Sequence, residues 1–197
     1  MKKDIILAGV GGQGILSIAT VIGYIAVNDD LYLKQAEVHG MSQRGGDVSS
    51  HLRISDKYIA SDLIPKGKAD LIISVEPMES LRYIPWLNKN GWIITNNKAY
   101  VNIPNYPEKE IIYKDIKDFG NHVLFNAEEL GKEAGSSKSA NIVILGAASP
   151  FLGFEPKKYE VALNYIFGKK GDKIVKMNID AFYLGREASK EFHNISI

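Results

Sequence analysis

Glu37, Val38, His39, Gly40, Met41, Ser42, Gln43, Arg44, Gly45 and Gly46 place a carboxylate, an imidazole, a hydroxyl, an amide and a guanidinium within ten positions and set glycines around them. A carboxylate accepts hydrogen bonds, a guanidinium forks onto phosphate or carboxylate, and an imidazole switches between donor and acceptor near neutral pH. Burying so many polar groups unpaired is costly, so the stretch is expected to face a ligand, a second subunit or itself. Short polar loops on rigid scaffolds carry function disproportionately. Arg44 suits a phosphate, a carboxylate or a partner's acid, and the sequence leaves these three open.

A second chemistry-bearing segment lies upstream. Gly9, Gly11 and Gly14 match G-x-G-x-x-G, with Gly12 and Gln13 inside the match. The apolar run 5–10 before it reads as a strand and residues 15–27 after it as a helix, the context a dinucleotide fingerprint requires. Such glycines permit a tight turn and let a phosphate approach amides at the helix start. Glu37 closes the next predicted strand 23 residues beyond Gly14, near where an acid meets a ribose hydroxyl. The same loop equally suits close packing of a strand on its helix, or the approach of another protein. His39, His51 and Glu37 form a nominal metal trio, but the histidines lack helical i, i+4 spacing and His51 falls in a predicted strand, so no metal site is expected. Ser42 sits in no G-x-S-x-G elbow, which disfavours a hydrolase.

The elements that must hold these segments follow from patterning. Residues 5–10, 31–37, 48–54, 69–75 and 92–95 read as strands, and residues 58–60 as a hairpin partner of 48–54. Helices are expected at 15–27, from Met78 to about Leu87, at 127–134, 157–167 and 178–191, with Pro85 kinking or ending the second of these. Residues 110–113 and 123–125 read as short strands, and the Gly146-Ala147-Ala148 centre of 141–152 suits close helix packing. In the first helix Ser17, Thr20 and Tyr24 form a narrow polar stripe on an otherwise apolar surface, so a subunit interface is expected against it. The sum is an α/β protein, a three-layer Rossmann-like open sheet, mostly parallel with some antiparallel strands. Ligands gather at the carboxyl ends of strands in such folds, and both glycine-rich segments follow strands.

Composition narrows the function classes. The 197 residues suit one domain spanning 1–197, with 45% hydrophobic and 24% charged residues as in ordinary globular proteins. A net charge of +1 with scattered lysines gives no footprint for nucleic acid. No apolar run approaches membrane-spanning length, and residues 5–8 read as a first strand rather than a signal segment. With no cysteine, the chain ligates no cysteine-held iron–sulfur cluster and has no thiolate nucleophile. That composition fits a cytoplasmic location.

The pairing of G-V-G-G-Q-G at the amino terminus with E-V-H-G-M-S-Q-R-G-G, together with Ser74-Val75-Glu76-Pro77 and the 178–186 helix, resembles the beta subunit of indolepyruvate ferredoxin oxidoreductases, within the gamma-domain family of 2-oxoacid:ferredoxin oxidoreductases. The resemblance covers essentially the whole chain, and H-G-M-S-Q-R-G-G is its most specific part. It implies a small subunit that supports thiamine-dependent oxidative decarboxylation of an aryl 2-oxoacid to an acyl-coenzyme A. Thiamine diphosphate and the iron–sulfur clusters are then expected on a large partner, in a hetero-oligomer of two large and two small chains, with ferredoxin as acceptor. No cofactor is expected to be held firmly by this chain, and the resemblance leaves open whether coenzyme A meets it at the interface. The sequence agrees with this division: a thiamine-type G-D-G followed by paired asparagines is missing, since Lys173 follows Gly171-Asp172 and Asn96-Asn97 comes earlier. A free-standing NAD-dependent oxidoreductase and a noncatalytic nucleotide-binding protein are the competing readings, both resting on the glycine loop.

Overall fold

In the computed structural model, residues 1–40, 46–101 and 103–192 are described, His39 by its backbone alone. The first strand, β1 (Lys2–Val10), runs through the middle of the molecule. Ile5, Ile6, Leu7 and Ala8 are wholly buried, because layers cover both of its faces and an unbroken apolar run suits both. The other strands are β2 (Tyr32–His39), β3 (Asp47–Ser55), β4 (Ala69–Ser74), β5 (Leu87–Asn96) and β6 (His122–Phe125). They form one six-stranded sheet in the order β2-β3-β1-β4-β5-β6. β1, β4, β5 and β6 pair in parallel, whereas β3 pairs antiparallel with both β1 and β2. The expected mixed, mostly parallel α/β sheet is therefore present.

Alternation along β1 assigns its side chains to two cores. Ile5 and Leu7 pack with α1 (Ile15–Asn28), α5 (Ala140–Leu152), α6 (Pro156–Phe167) and α7 (Asp172–Ala188), while Ile6 packs with α3 (Lys109–Phe119) through Ile112 and Ile116. Helices α2 (Pro77–Arg82) and α4 (Ala127–Glu133) complete the set. α5 is buried nearly all round, lying between the sheet and α7. The two helices touch through glycine: a Cβ on Gly146 would lie 1.9 Å from the Phe182 carbonyl oxygen, and one on Gly185 would lie 1.8 Å from that of Val143.

Several local expectations give way to tertiary context. Residues 58–60 form no strand, since β3 already has a neighbour on each edge. Their loop is instead pinned by Arg53, whose Nη1 donates to the carbonyls of Ser61 and Leu63 at 2.9 and 3.1 Å. Residues 110–113 are helical, because Ile112 and Ile116 at i, i+4 supply the buried face of α3. The helix expected to reach Leu87 stops at Arg82, Pro85 falls in a single 3-10 turn, and β5 starts at Leu87 rather than Trp92. The last helix starts at Asp172, earlier than expected. The second apolar side of α1 packs against α5 and α6 of this same chain, which is the cover that the expectation had given to another subunit. No helix among the described residues is long and apolar enough to cross a membrane.

Candidate functional site at the carboxyl edge of the sheet

β1, β4 and β5 end side by side at Val10, Ser74 and Asn96. From β1 the chain passes to α1 on one face, and from β4 to α2 on the other. A reversal of this kind makes the β1/β4 boundary the place where open α/β sheets leave a crevice. The β2–β3 hairpin turns at the same edge, with His39 opposite Val48 and Val10 opposite Asp47. Gly11 N–H donates to the Gly46 carbonyl at 2.9 Å, and Gly40 N–H to the Asp47 carbonyl at 2.8 Å. The glycine loop therefore meets the polar stretch at Gly46, and Gly40 is held to the start of β3. A Cβ on Gly40 would lie 2.5 Å from Asp47 Oδ1 and 3.1 Å from the Asp47 carbonyl oxygen, so the approach there is close.

The ten polar-stretch residues are placed unevenly. Glu37 lies opposite Ser50 on edge strand β2 and accepts from Gln35 Nε2 at 2.6 Å. β3 stands between it and β1, a gap of about 10 Å at the usual strand spacing. In the dinucleotide fold the acid ends the strand beside the glycine loop; here it does not. The backbone of His39 closes β2. Met41, Ser42, Gln43, Arg44 and Gly45 lie outside the described residues. His51 is a structural histidine: its Nδ1 accepts from the Ile64 amide at 3.0 Å, and burial, helped by Arg53, pushes its pKa down and keeps the ring neutral. Among the described residues no group of three or more His, Asp or Glu side chains is placed to hold a metal ion.

The glycine loop is built to stay open. Gln13 closes it on itself, its Oε1 accepting from Val10 N–H at 2.8 Å and its own N–H donating to the Val10 carbonyl at 3.1 Å. Gly12 and Gly14 adopt left-handed φ values of 97° and 78°, conformations glycine tolerates at no steric cost. Gly14 is the N-cap of α1 and has no side chain to cap it. Its carbonyl accepts from Asn141 Nδ2 at 3.0 Å, which fixes the loop against α5. Between this loop, the ends of β4 and β5 and the starts of α5 and α7 lies a cavity of about 640 Å³, with Asn96, Ser139, Asn141, Lys138 and Lys170 among its lining.

Across the β1/β4 boundary is a group the sequence reading did not single out. Glu76 is wholly buried and accepts from the Glu79 N–H at 2.9 Å, the Tyr100 N–H at 3.2 Å and the Tyr106 hydroxyl. Burial pushes its pKa up, although the three donors favour the charged form. Burial and the neighbouring Glu76 push the Tyr106 hydroxyl far up as well, so it stays a donor. Glu79, also buried, pairs with Arg82 through two bonds of 2.9 and 3.2 Å. The Glu-Pro pair before a helix was visible in the sequence, but Tyr100 and Tyr106 converge on it only through the fold.

Comparison with known proteins identifies the family. The model of the pyruvate ferredoxin/flavodoxin oxidoreductase family matches residues 4–188. The chain is 38% identical to indolepyruvate oxidoreductase subunit IorB of Pyrococcus horikoshii over 99% of its own length and 100% of that protein. Among solved structures it is similar to a 2-oxoglutarate:ferredoxin oxidoreductase of Magnetococcus marinus carrying 2-oxoglutarate, coenzyme A and succinyl-CoA, with a TM-score of 0.79 at 20% identity, covering 98% of this chain and 32% of that one. It is similar also to a pyruvate oxidoreductase subunit of Thermotoga maritima, with a TM-score of 0.73 at 18% identity, covering 94% of this chain and 96% of that one. The chain belongs to the pyruvate ferredoxin/flavodoxin oxidoreductase family. Within that family it is a subunit of a 2-oxoacid:ferredoxin oxidoreductase.

Proposed function

We propose that the 2-oxoacid is an aryl 2-oxoacid of the indolepyruvate type, converted to its acyl-coenzyme A with two electrons passed to ferredoxin. The observation that carries this reading is the full-length identity to the Pyrococcus horikoshii indolepyruvate subunit. The bond from the glycine loop to Gly46 supports it, because it ties the end of the polar stretch to the edge where such folds bind ligands.

Residues 1–197 act in this reading as one gamma-type domain in the cytoplasm, joined to a large subunit in a complex of two large and two small chains. Thiamine diphosphate and iron–sulfur clusters belong to the large subunit. This chain has no cysteine for a cluster, and its Gly171-Asp172 pair begins α7 rather than a cofactor loop. When bound there, thiamine diphosphate supplies the carbanion chemistry. The residues Glu37, His39, Gly40, Met41, Ser42, Gln43, Arg44, Gly45 and Gly46 complete the site at the subunit boundary, where Arg44 with His39 and Gln43 meets a phosphate or carboxylate of coenzyme A or the 2-oxoacid and the loop excludes water. The free-standing NAD-dependent alternative loses its ribose-binding acid, since Glu37 lies two strands away from the glycine loop.

Anaerobic co-purification with the cluster-bearing large subunit, followed by 2-oxoacid-dependent viologen reduction in the presence of coenzyme A, tests the proposal. Activity with indolepyruvate only when both chains are present is the expected result. Nicotinamide-dependent oxidoreductase activity of the isolated chain, or a complex inert towards every aryl 2-oxoacid, would overturn it.

A further inference from the structure

We propose that Arg82, locked onto the buried carboxylate of Glu79, is a positioning residue that acts through Asp47 to fix the base of the polar stretch 37–46. Two rows of side chains carry this. On β3, Asp47, Ser49 and His51 alternate onto one face of the sheet. Over that face run Arg82 at the end of α2, Tyr83 just after it and Trp86 in the 3-10 turn. Trp86 meets the His51 ring edge-on at 6.3 Å, and Tyr83 lies 5.7 Å from Trp86. Burial pushes the pKa of the Tyr83 hydroxyl up, and Ser49 is its hydrogen-bonding neighbour. One step further along both rows sets Arg82 beside Asp47. The guanidinium's pKa is raised first by its bonds to Glu79 and further by the Asp47 charge.

Asp47 is the residue through which a fixed charge reaches the stretch. Its carbonyl accepts from Gly40 N–H at 2.8 Å, its Oδ1 closes on the Gly40 Cα, and it pairs with Val10 at the end of β1. The Glu79–Arg82 pair is built to hold such a charge still. Glu79 keeps 2% of its side-chain surface exposed and Arg82 keeps 51%. The carboxylate takes Arg82 Nε at 2.9 Å and Nη2 at 3.2 Å, a side-on fork that holds the long side chain in one rotamer and leaves Nη1 outside the pair. A buried ion pair commonly does no more than offset the desolvation of its own charges, so stability alone is a weak reason for this one. Its product is a guanidinium of fixed place on the α2 face of the sheet, opposite the face that carries the glycine-loop cavity. The consequence for the reaction rests on the reading that the stretch 37–46 works in it, since small displacements of positioning groups are expensive in rate.

Amide hydrogen exchange on the full chain and steady-state kinetics of the assembled complex test it together. Loss of Arg82 alone would strand the Glu79 charge, so the main variant replaces both, Glu79→Gln with Arg82→Gln. It should exchange the Gly40 amide at least about tenfold faster than wild type while the Ile6 amide, in the middle of the sheet, is unchanged. In the complex it should lower kcat/KM for the 2-oxoacid or for coenzyme A about fivefold or more. Arg82→Lys keeps the charge without the fork and should restore part of both effects, leaving Gly40 about threefold fast; it decides the matter if the double replacement also speeds Ile6. In an Asp47→Asn background the double replacement should lose most of its effect, because groups acting in series are not additive. Unchanged Gly40 exchange, effects additive with Asp47→Asn, or normal kinetics of the double replacement where Arg44→Ala is impaired would each overturn the inference. Gly40 exchange that responds while Arg44→Ala and the double replacement both leave the kinetics untouched supports the positioning and defeats the functional reading of the stretch instead.

Discussion

The starts of α1 and α2 follow the neighbouring strands β1 and β4 and solve the same electrostatic problem in opposite ways. Each brings unbonded amides and the positive end of a helix to the carboxyl edge. At α2 the chain provides its own anion: Glu76 caps the helix and is closed in by Tyr100 and Tyr106. At α1 the corresponding place holds only glycine, Gln13 turns back on the loop, and a cavity opens in front. One end is capped by a side chain of the chain itself and the other is not. The contrast sets a closed start at α2 beside an open one at α1.

Removing the internal anion should have the largest effect. Glu76→Ala would leave the Tyr100 amide, the Tyr106 hydroxyl and the first turn of α2 without their acceptor, at a cost of about 3 kcal/mol in urea unfolding. Gly14→Ala attacks the open side through its backbone. A side chain at φ 78° would also come within 2.5 Å of Asn141 Nδ2, so a loss of about 2 kcal/mol is expected.

A pH series in wild type and Glu76→Gln separates the carboxyl's charge from its shape. The native pKa of Glu76 is raised above its ordinary 4.5, chiefly by burial, so between 4.5 and that raised value the native state holds a proton that the unfolded chain has released. Wild-type stability relative to the Gln variant should therefore rise as pH falls from neutral through the raised pKa and level off below 4.5. A flat difference would show that the buried carboxyl does not titrate there. Ser139→Ala should do least to stability, within about 0.5 kcal/mol, because the hydroxyl makes no cap bond to α5 that could be lost. A loss approaching that of Glu76→Ala would mean that the two helix starts are alike after all.

How much of this was legible in the sequence depends on whether the signal was local. The apolar runs of β1 and β4 and the glycine turn after β1 are read from consecutive residues, and the fold keeps them. The short doublet Ile111-Ile112 misleads, because its strand-like look is overruled by burial of Ile112 and Ile116 on one helical face. Residues 58–60 mislead for a similar reason, since strand pairing depends on which edges are free. Of the candidate site, the meeting of the two glycine segments was foreseeable from strand ends alone. Glu37 was not placeable, because only the strand order puts β3 between it and the loop. The role of Glu76 was hidden for the same cause, since its partners Tyr100 and Tyr106 lie 24 and 30 positions away.

In the proposed function the polar stretch 37–46 completes an active site whose cofactor comes from a second chain. Arg44→Ala in the assembled complex tests it most directly, by steady-state kinetics with the 2-oxoacid and with coenzyme A alongside urea unfolding of the same variant. The account predicts a fall in kcat/KM for at least one of the two of about tenfold or more, as expected when a charge-assisted contact is lost, with unfolding unchanged. Unaltered kinetics for both substrates would contradict it.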